Sequence, residues 1–197
     1  MVRRGAVAYL GAMAGVRVRE MGGADIEAVS AIRVRGWQAA YAGVVPQGYL
    51  DAMTVGDEAR RRRELFARPG RESRDLVAVG ERGPVGWVCF GPARGEVPGA
   101  APGAGRAGEV YALYVAPDLI GTGIGRGLLA EAHAAMRGQG FATSALWVLR
   151  DNRRARRFYT RAGYAADGAT QDDVYEDIHE GVHRDVTLTE LRYLREL

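Results

Sequence analysis

The sequence predicts an α/β domain of about seven strands flanked by about four helices. Three observations point to it. Strand-like runs come first, at residues 16–20 and 75–91. From residue 109 the pattern changes to strand, helix, strand, helix. Inside that later unit lies "YVAPDLIGTGIGRGLLAEAHAAM", residues 114–136, where Gly121, Gly123, Gly125 and Gly127 alternate with single residues. A chain of 197 residues suits one sizeable core. No apolar run approaches the ~18–20 residues that a membrane helix needs.

Each element has its own local signal. "VRVRE", residues 16–20, alternates apolar and charged residues as a half-buried strand does. Asp25 is expected to cap a helix running through Ile26, Val29, Ile32 and Val34 to Trp37 and Tyr41. A second helix is expected from about Val55 to Ala67. "DLVAVGERGPVGWVCFG" reads as two strands joined by a tight turn at Arg82-Gly83. Residues 92–108, dense in Pro, Gly and Ala, read as a flexible loop within the domain rather than a linker between domains. "EVYALYVAP" is a strand stopped by Pro117, and "GLLAEAHAAMRGQG" is a helix closed by glycine. "TSALWVL" is a strand, and "DNRRARRFYTRAG" is a helix capped by Asp151 and ended by Gly163. "RDVTLTELRYLREL" returns to strand. Residues 1–15, which imitate a signal peptide but are broken by glycine, read as a loose N-terminal extension, and residues 16–197 as the domain.

Composition narrows the functional classes. The 27 basic residues exceed the 24 acidic ones by 3, and all are arginine. The run Arg60–Arg63 is interleaved with Asp57, Glu58 and Glu64, so it reads as a solvated, salt-bridged helix face. No aromatic platform accompanies it, so no nucleic-acid partner is expected. The single cysteine, Cys89, sits in an apolar strand pattern and reads as a small hydrophobe in a reducing, cytoplasmic setting. "HEGVH", residues 179–183, matches the zinc-hydrolase pattern, but Gly181 interrupts it, so no metal is expected.

A glycine-rich turn from strand to helix offers backbone amides and a helix N-terminus to a phosphate. The nucleotide-triphosphate loop requires a lysine, and this chain has none. The dinucleotide fingerprint requires glycine where this sequence has Arg126 or Leu128, depending on register. What the region does resemble is the coenzyme A-binding core of the GCN5-related N-acetyltransferase family, with its loop signature [QR]-x-x-G-x-[GA]. The match is Ile120-Gly121-Thr122-Gly123-Ile124-Gly125 followed by Arg126, with Ile120 replacing the leading Gln or Arg.

"LWVLRDNRRARRFYTRAGY" is similar to the family's second signature, through Leu146, Val148, Asn152, Ala155, Phe158, Tyr159, Gly163 and Tyr164. "ALYVAP", "GWQAAYAGVVPQGYLDAM" and "TELRYLREL" resemble its central strand, first helices and closing strand.

The resemblance implies a mixed, strongly twisted sheet that splays between "ALYV" and "LWVL" to admit a pantetheine arm. It implies acetyl-CoA as acyl donor, with Leu113, Tyr114 and Val115 pairing with the pantetheine amides. Residues Ile120 to Arg126 would hold the pyrophosphate, and Asn152 would bond the arm. Tyr159 would protonate the leaving thiolate, and Glu109 would serve as base. Trp37 and Tyr41 would line the pocket of a small-molecule amine, with a "VYEDIHEG" loop across the mouth and Asp172, Asp173, Glu176, Asp177 and Glu180 giving the entry negative charge. The four arginines from Arg153 to Arg157 would lie mostly in solvent, with a 3′-phosphate as the alternative partner. A homodimer stays open. The competing readings are a zinc hydrolase using residues 179–183 and a non-catalytic acyl-CoA-binding module.

Overall fold

The computed structural model describes residues 15–97, 106–179 and 182–197, with backbone only for residues 176–179 and 182–185. Seven strands form one sheet: β1 (Arg17–Glu20), β2 (Arg74–Gly80), β3 (Gly83–Pro92), β4 (Arg106–Val115), β5 (Phe141–Leu149), β6 (Ala165–His179) and β7 (Val182–Glu196). Their order is β1-β2-β3-β4-β5-β7-β6. Among these strands of the described residues, β4 and β5 pair in parallel and each other pair is antiparallel. Five helices accompany them: α1 (Ile26–Ala40), α2 (Gln47–Ala52), α3 (Val55–Phe66), α4 (Ile124–Gly138) and α5 (Arg153–Arg161). The α/β expectation holds, with one more helix among the described residues than the sequence suggests.

Alternation along the strands decides which helix covers which face. Val77 and Trp87 turn to one side and pack with Ile26 and Val29 of α1 and Ala59 of α3. Leu76, Ala78, Val88 and Phe90 turn to the other and pack with Leu128, Ala132 and Met136 of α4. Gly86 lets α4 approach closely, since a Cβ there would lie 2.9 Å from Leu128 and 3.1 Å from Ile124. A third cluster joins Trp37 of α1, Leu50 of α2, Leu149 of β5, Tyr175 of β6 and Leu188 of β7.

Several local expectations are corrected. Asp25 stands at the N-cap of α1 but does not cap it; its carboxylate takes Gly22 N–H at 2.8 Å and the Arg19 guanidinium at 2.7 and 2.8 Å. Asn152, not Asp151, caps α5, accepting Ala155 N–H at 3.0 Å. Thr54 caps α3 by accepting Asp57 N–H at 3.1 Å. Strand β4 begins at Arg106, so the glycine- and proline-rich loop ends before residue 108, and residues 98–105 of it lie outside the described residues. Residues 174–179 of the expected "VYEDIHEG" loop are the last six of β6. Arg60 is exposed and pairs with Asp57 as expected; Arg63 is exposed but pairs with Glu27 of α1, and Arg62 is buried. Its guanidinium lies 3.9 Å from the Trp87 ring centroid and bridges to Glu58. A planar, weakly hydrated cation tolerates that site because the aromatic face and carboxylate replace its water.

Behind the β5 side of the sheet runs a buried polar chain. The Tyr164 hydroxyl lies 2.7 Å from both Ser144 Oγ and His133 Nε2, and Arg195 stands 3.4 Å from His133 Nδ1. Burial first, then the Arg195 and Arg137 charges, push the His133 pKa down from 6.5 to about 4. The unfolded chain therefore binds a proton that the folded chain refuses between those values. The stability so conferred is present above pH ~6.5 and is lost as pH falls toward ~4, by about 3 kcal/mol. Urea midpoints at pH 7.5 and pH 5 should show about 2 kcal/mol of this loss in the wild type and a smaller loss in His133→Gln. Parallel curves would remove His133 as its source.

Candidate active site

The parallel strands β4 and β5 pair only from Arg106↔Phe141 to Val110↔Leu146, with a register shift after Arg106. Beyond those residues the two strands part. The cause is visible one residue further on: β3 matches Phe90 with Val110 and Cys89 with Ala112, so Tyr111 is an extra, bulged residue of β4. A bulge bends its strand and ends pairing on one side. The expected splay between "ALYV" and "LWVL" is therefore present. It opens a cleft of about 1350 Å³ bordered by Tyr111–Val115 of β4, Trp147–Leu149 of β5 and the glycine turn before α4. Backbone groups of β4 on the β5 side have lost their strand partner there, and an extended polar chain laid in the gap would satisfy them.

The glycine turn closes one end. Ala116 through Thr122 fold back on themselves, with Thr122 Oγ1 donating to Leu119 O at 2.6 Å. Gly121 and Gly123 adopt φ of 93° and 94°, in the left-handed region that favours glycine. Gly123 is the N-cap of α4, and the first main-chain bond inside the helix is Gly127 N–H to Gly123 O at 3.0 Å. The amides of the first turn thus face outward, where the helix dipole favours an anion. Ile124 is buried and pins the helix start, while Ile120 and Thr122 are exposed. Gly125 and Arg126 border the cleft together with Leu113, Val115, Ala155 and Phe158.

Tyr114 is placed differently from Leu113 and Val115. Its ring stacks on Trp87, centroids 6.0 Å apart and planes at 8°, and its hydroxyl accepts from Trp37 Nε1 at 2.6 Å. Its side chain is a beam between α1 and the sheet. Tyr159 borders the cleft from α5, its ring against Phe158 and Tyr164. Burial raises its hydroxyl well above the ordinary tyrosine range, with Tyr164, Tyr41 and Tyr114 adding to the shift. The group stays protonated at neutral pH, as a proton donor must. Asn152 also borders the cleft; its Oδ1 caps α5, and its side chain stands beside the Tyr41 hydroxyl.

Glu109 lies where β4 and β5 are still joined, opposite Ala145, and is 2 % exposed. Arg94 encloses it: Oε1 accepts from Nε at 3.0 Å and from the terminal guanidinium nitrogen, and Oε2 accepts Arg94 N–H at 3.0 Å. Both oxygens are thus committed. The sequence had no means of showing this partner, which comes from the loop after β3.

The opposite end of the cleft is aromatic. Trp37 and Tyr41 meet edge to face at 4.8 Å, and Tyr49 and Tyr175 at 5.3 Å. Sequence reasoning found the first pair and missed the second, because Tyr49 sits on a two-turn helix and Tyr175 on a strand read as loop. Asp173, Gln171 and Glu190 border the same chamber. Asp172 bonds Thr189 at 2.8 Å instead. The side chains of Glu176 and Asp177, and Glu180 altogether, lie outside the described residues. His179 ends β6 and His183 lies on β7, across from Ile178. The two histidines therefore do not share a helix face, as the zinc-hydrolase reading requires.

Comparison with known proteins agrees with this geometry. Residues 45–164 match the profile of the acetyltransferase (GNAT) family. The uncharacterized N-acetyltransferase YuaI of Bacillus subtilis (strain 168) is 29% identical over 143 residues, covering 70% of this chain and 73% of that protein. A mycothiol acetyltransferase of Cellulomonas flavigena is 41% identical over 79 residues, but these are 40% of this chain and only 22% of that enzyme. The crystal structure of the PaiA N-acetyltransferase of Thermoplasma acidophilum in complex with coenzyme A superposes with a TM-score of 0.67 at 17% identity, over 92% of this chain and 99% of that one. That likeness speaks for the fold alone. The profile spans the bulged strand, the glycine turn and the helix that carries Tyr159, and on that evidence the chain belongs to the acetyltransferase (GNAT) family, an N-acetyltransferase whose acyl donor is acetyl-CoA.

Proposed function

We propose that this enzyme transfers an acetyl group from acetyl-CoA to the primary amine of a small cationic molecule, by direct attack of the amine on the thioester. The observation that carries the acceptor class is the chamber walled by Trp37, Tyr41, Tyr49 and Tyr175 at the end of the cleft away from the glycine turn. Such faces attract an ammonium group electrostatically and give its carbon skeleton an apolar seat. The donor's pantetheine arm lies along the open edge of β4 at Leu113, Tyr114 and Val115, with its pyrophosphate on the amides of Gly121 to Arg126. Asn152 orients the arm, and Tyr159 gives its proton to the departing thiolate. In this reading Glu109, clasped by Arg94, sits at the inner end of the cleft. The domain comprises residues 16–197, and the setting is cytoplasmic; no helix among the described residues is long and apolar enough to cross a membrane.

Two measurements test the reading. Titration with acetyl-CoA should show saturable binding and raise the melting temperature, since a ligand bound only by the native state stabilises it. Thiol release should then be fastest with small cationic amines in a panel that also holds anionic amines and peptides. Selective turnover of peptides would overturn the small-molecule assignment. Binding without any thiol release would favour a non-catalytic acyl-CoA-binding module.

A further inference from the structure

The acceptor chamber holds more arginine than its aromatic walls suggest, yet most of that charge is spent. Arg33 is tied to Glu58 at 2.8 Å, Arg94 to Glu109, and Arg192 to Asp167 at 2.8 Å. Arg61 is exposed and borders the chamber where it meets a smaller hollow beside Tyr49. Against these stand two carboxylates with no ion-pair partner among the described residues, the exposed Asp173 and the half-buried Glu190.

Glu190 is placed by the sheet itself. It lies opposite Leu149 of β5, three residues past the last β4–β5 pair at Leu146, and therefore alongside the open gap. Alternation on β7 turns Leu188, Glu190 and Arg192 to the cleft, while Leu191 and Tyr193 pack into the main core behind. Gln171, its cross-strand partner on β6, donates Nε2–H to Oε2 at 2.7 Å. That bond orients the carboxylate and leaves Oε1 without a donor among the described residues. Glu109, buried under Arg94, has no oxygen in a comparable state.

We propose that Glu190 is the general base of the acyl transfer, its Oε1 receiving the proton of the acceptor's ammonium group. This rests on the acceptor reading given above. The balance of the step is simple. The ammonium gives one proton to the Glu190 carboxylate, and the neutral amine forms the C–N bond at the thioester carbonyl. The C–S bond breaks, and the thiolate takes the Tyr159 proton. The adduct nitrogen returns its second proton to the tyrosinate. Glu190 then releases its proton to solvent, so the net products are amide, thiol and one proton.

The surroundings of Glu190 tune it for this role. Burial raises its pKa above the ordinary 4.5, and Asp173 on β6 and Glu109 on β4 raise it further. Gln171 and Arg94 pull the other way without reversing the direction. The neighbouring hydroxyls of Tyr41, Tyr114 and Tyr175 are themselves held protonated by burial. A carboxylate with a raised pKa is the stronger base, and it must be ionised to act. The acid limb of the kcat/KM profile should therefore lie above the ordinary glutamate range.

The deciding experiment is the pH dependence of kcat/KM for the wild type, Glu190→Gln, Glu190→Asp and Glu109→Gln. It is read with whichever amine the wild type acetylates fastest, so a wrong acceptor class appears in the panel and a wrong base in the variants. Glu190→Gln should lose about a hundredfold or more in kcat, with a smaller change in KM and no acid limb. Glu190→Asp should restore the limb at reduced rate. Glu109→Gln, whatever its cost in stability, should keep the limb. Acetyl-CoA binding and circular dichroism check that each variant is folded. A Glu190→Gln enzyme with the wild-type limb and a rate within a few-fold would overturn the proposal. So would loss of the limb in a folded Glu109→Gln.

Discussion

Replacing Tyr159 by Phe should lower kcat by about a hundredfold or more while changing acetyl-CoA affinity no more than a few-fold. The ring is what the fold uses: it packs against Phe158 and Tyr164 at centroid distances of 5.1 and 5.8 Å, and phenylalanine preserves both contacts. What the variant loses is one hydroxyl. Burial holds that hydroxyl protonated far into the alkaline range, so it is always loaded with the proton a leaving thiolate needs. A group that acts only on charge developing at sulfur lowers the barrier without tightening the ground-state complex. Thiol-release kinetics beside calorimetric titration with acetyl-CoA separate the two quantities. A variant with wild-type kcat, or one whose whole loss lies in donor affinity, would take Tyr159 out of the chemistry.

Phe90→Ala should cost about 3–5 kcal/mol of folding stability and lower the melting temperature by about 10 °C. Phe90 is fully buried, in the cluster that joins β3, α4 and the start of β5. It also sits at the register shift opposite the bulge, where Val110 is its partner and Tyr111 the unmatched residue. Truncation removes a ring from close-packed surroundings that relax only partly, which adds a cavity cost to the lost burial. The bulge would then stand over a void, so donor affinity should fall along with stability. Urea unfolding gives the first effect and calorimetry the second. A stability change below about 1 kcal/mol would mean that the site collapses around the loss.

How much of this was legible before folding depends on how local each signal is. The glycine turn declared itself because Gly121 and Gly123 must reach positive φ, a demand met within a few residues by the one side chain that allows it. The β4-turn-α4 and β5-α5 units were equally readable, since hydrophobic spacing, a stopping proline and a closing glycine all act along the chain. Tyr159 followed from its place in a motif of that kind. Strand β6 did not: "AADGATQDDVYEDIH" lacks an apolar face, and it is a strand because β7 pairs with it at the sheet edge. Arg62 read as solvated, because nothing in "ARRRRE" tells which arginine will meet the Trp87 ring.

Periodicity, and the backbone geometry that single residue types impose, were enough to give the fold class, the glycine turn and the family. Which carboxylate keeps an oxygen without a donor among the described residues follows from packing alone. Glu109 and Glu190 are the same residue type on neighbouring parts of one sheet. Arg94, brought in from a loop with no pattern of its own, occupies one of them, and Gln171, 19 residues from Glu190 by chain but its partner across β6–β7, leaves an oxygen of the other open. Charge pairing depends on distances between segments remote in sequence, and those distances exist only once the sheet has closed.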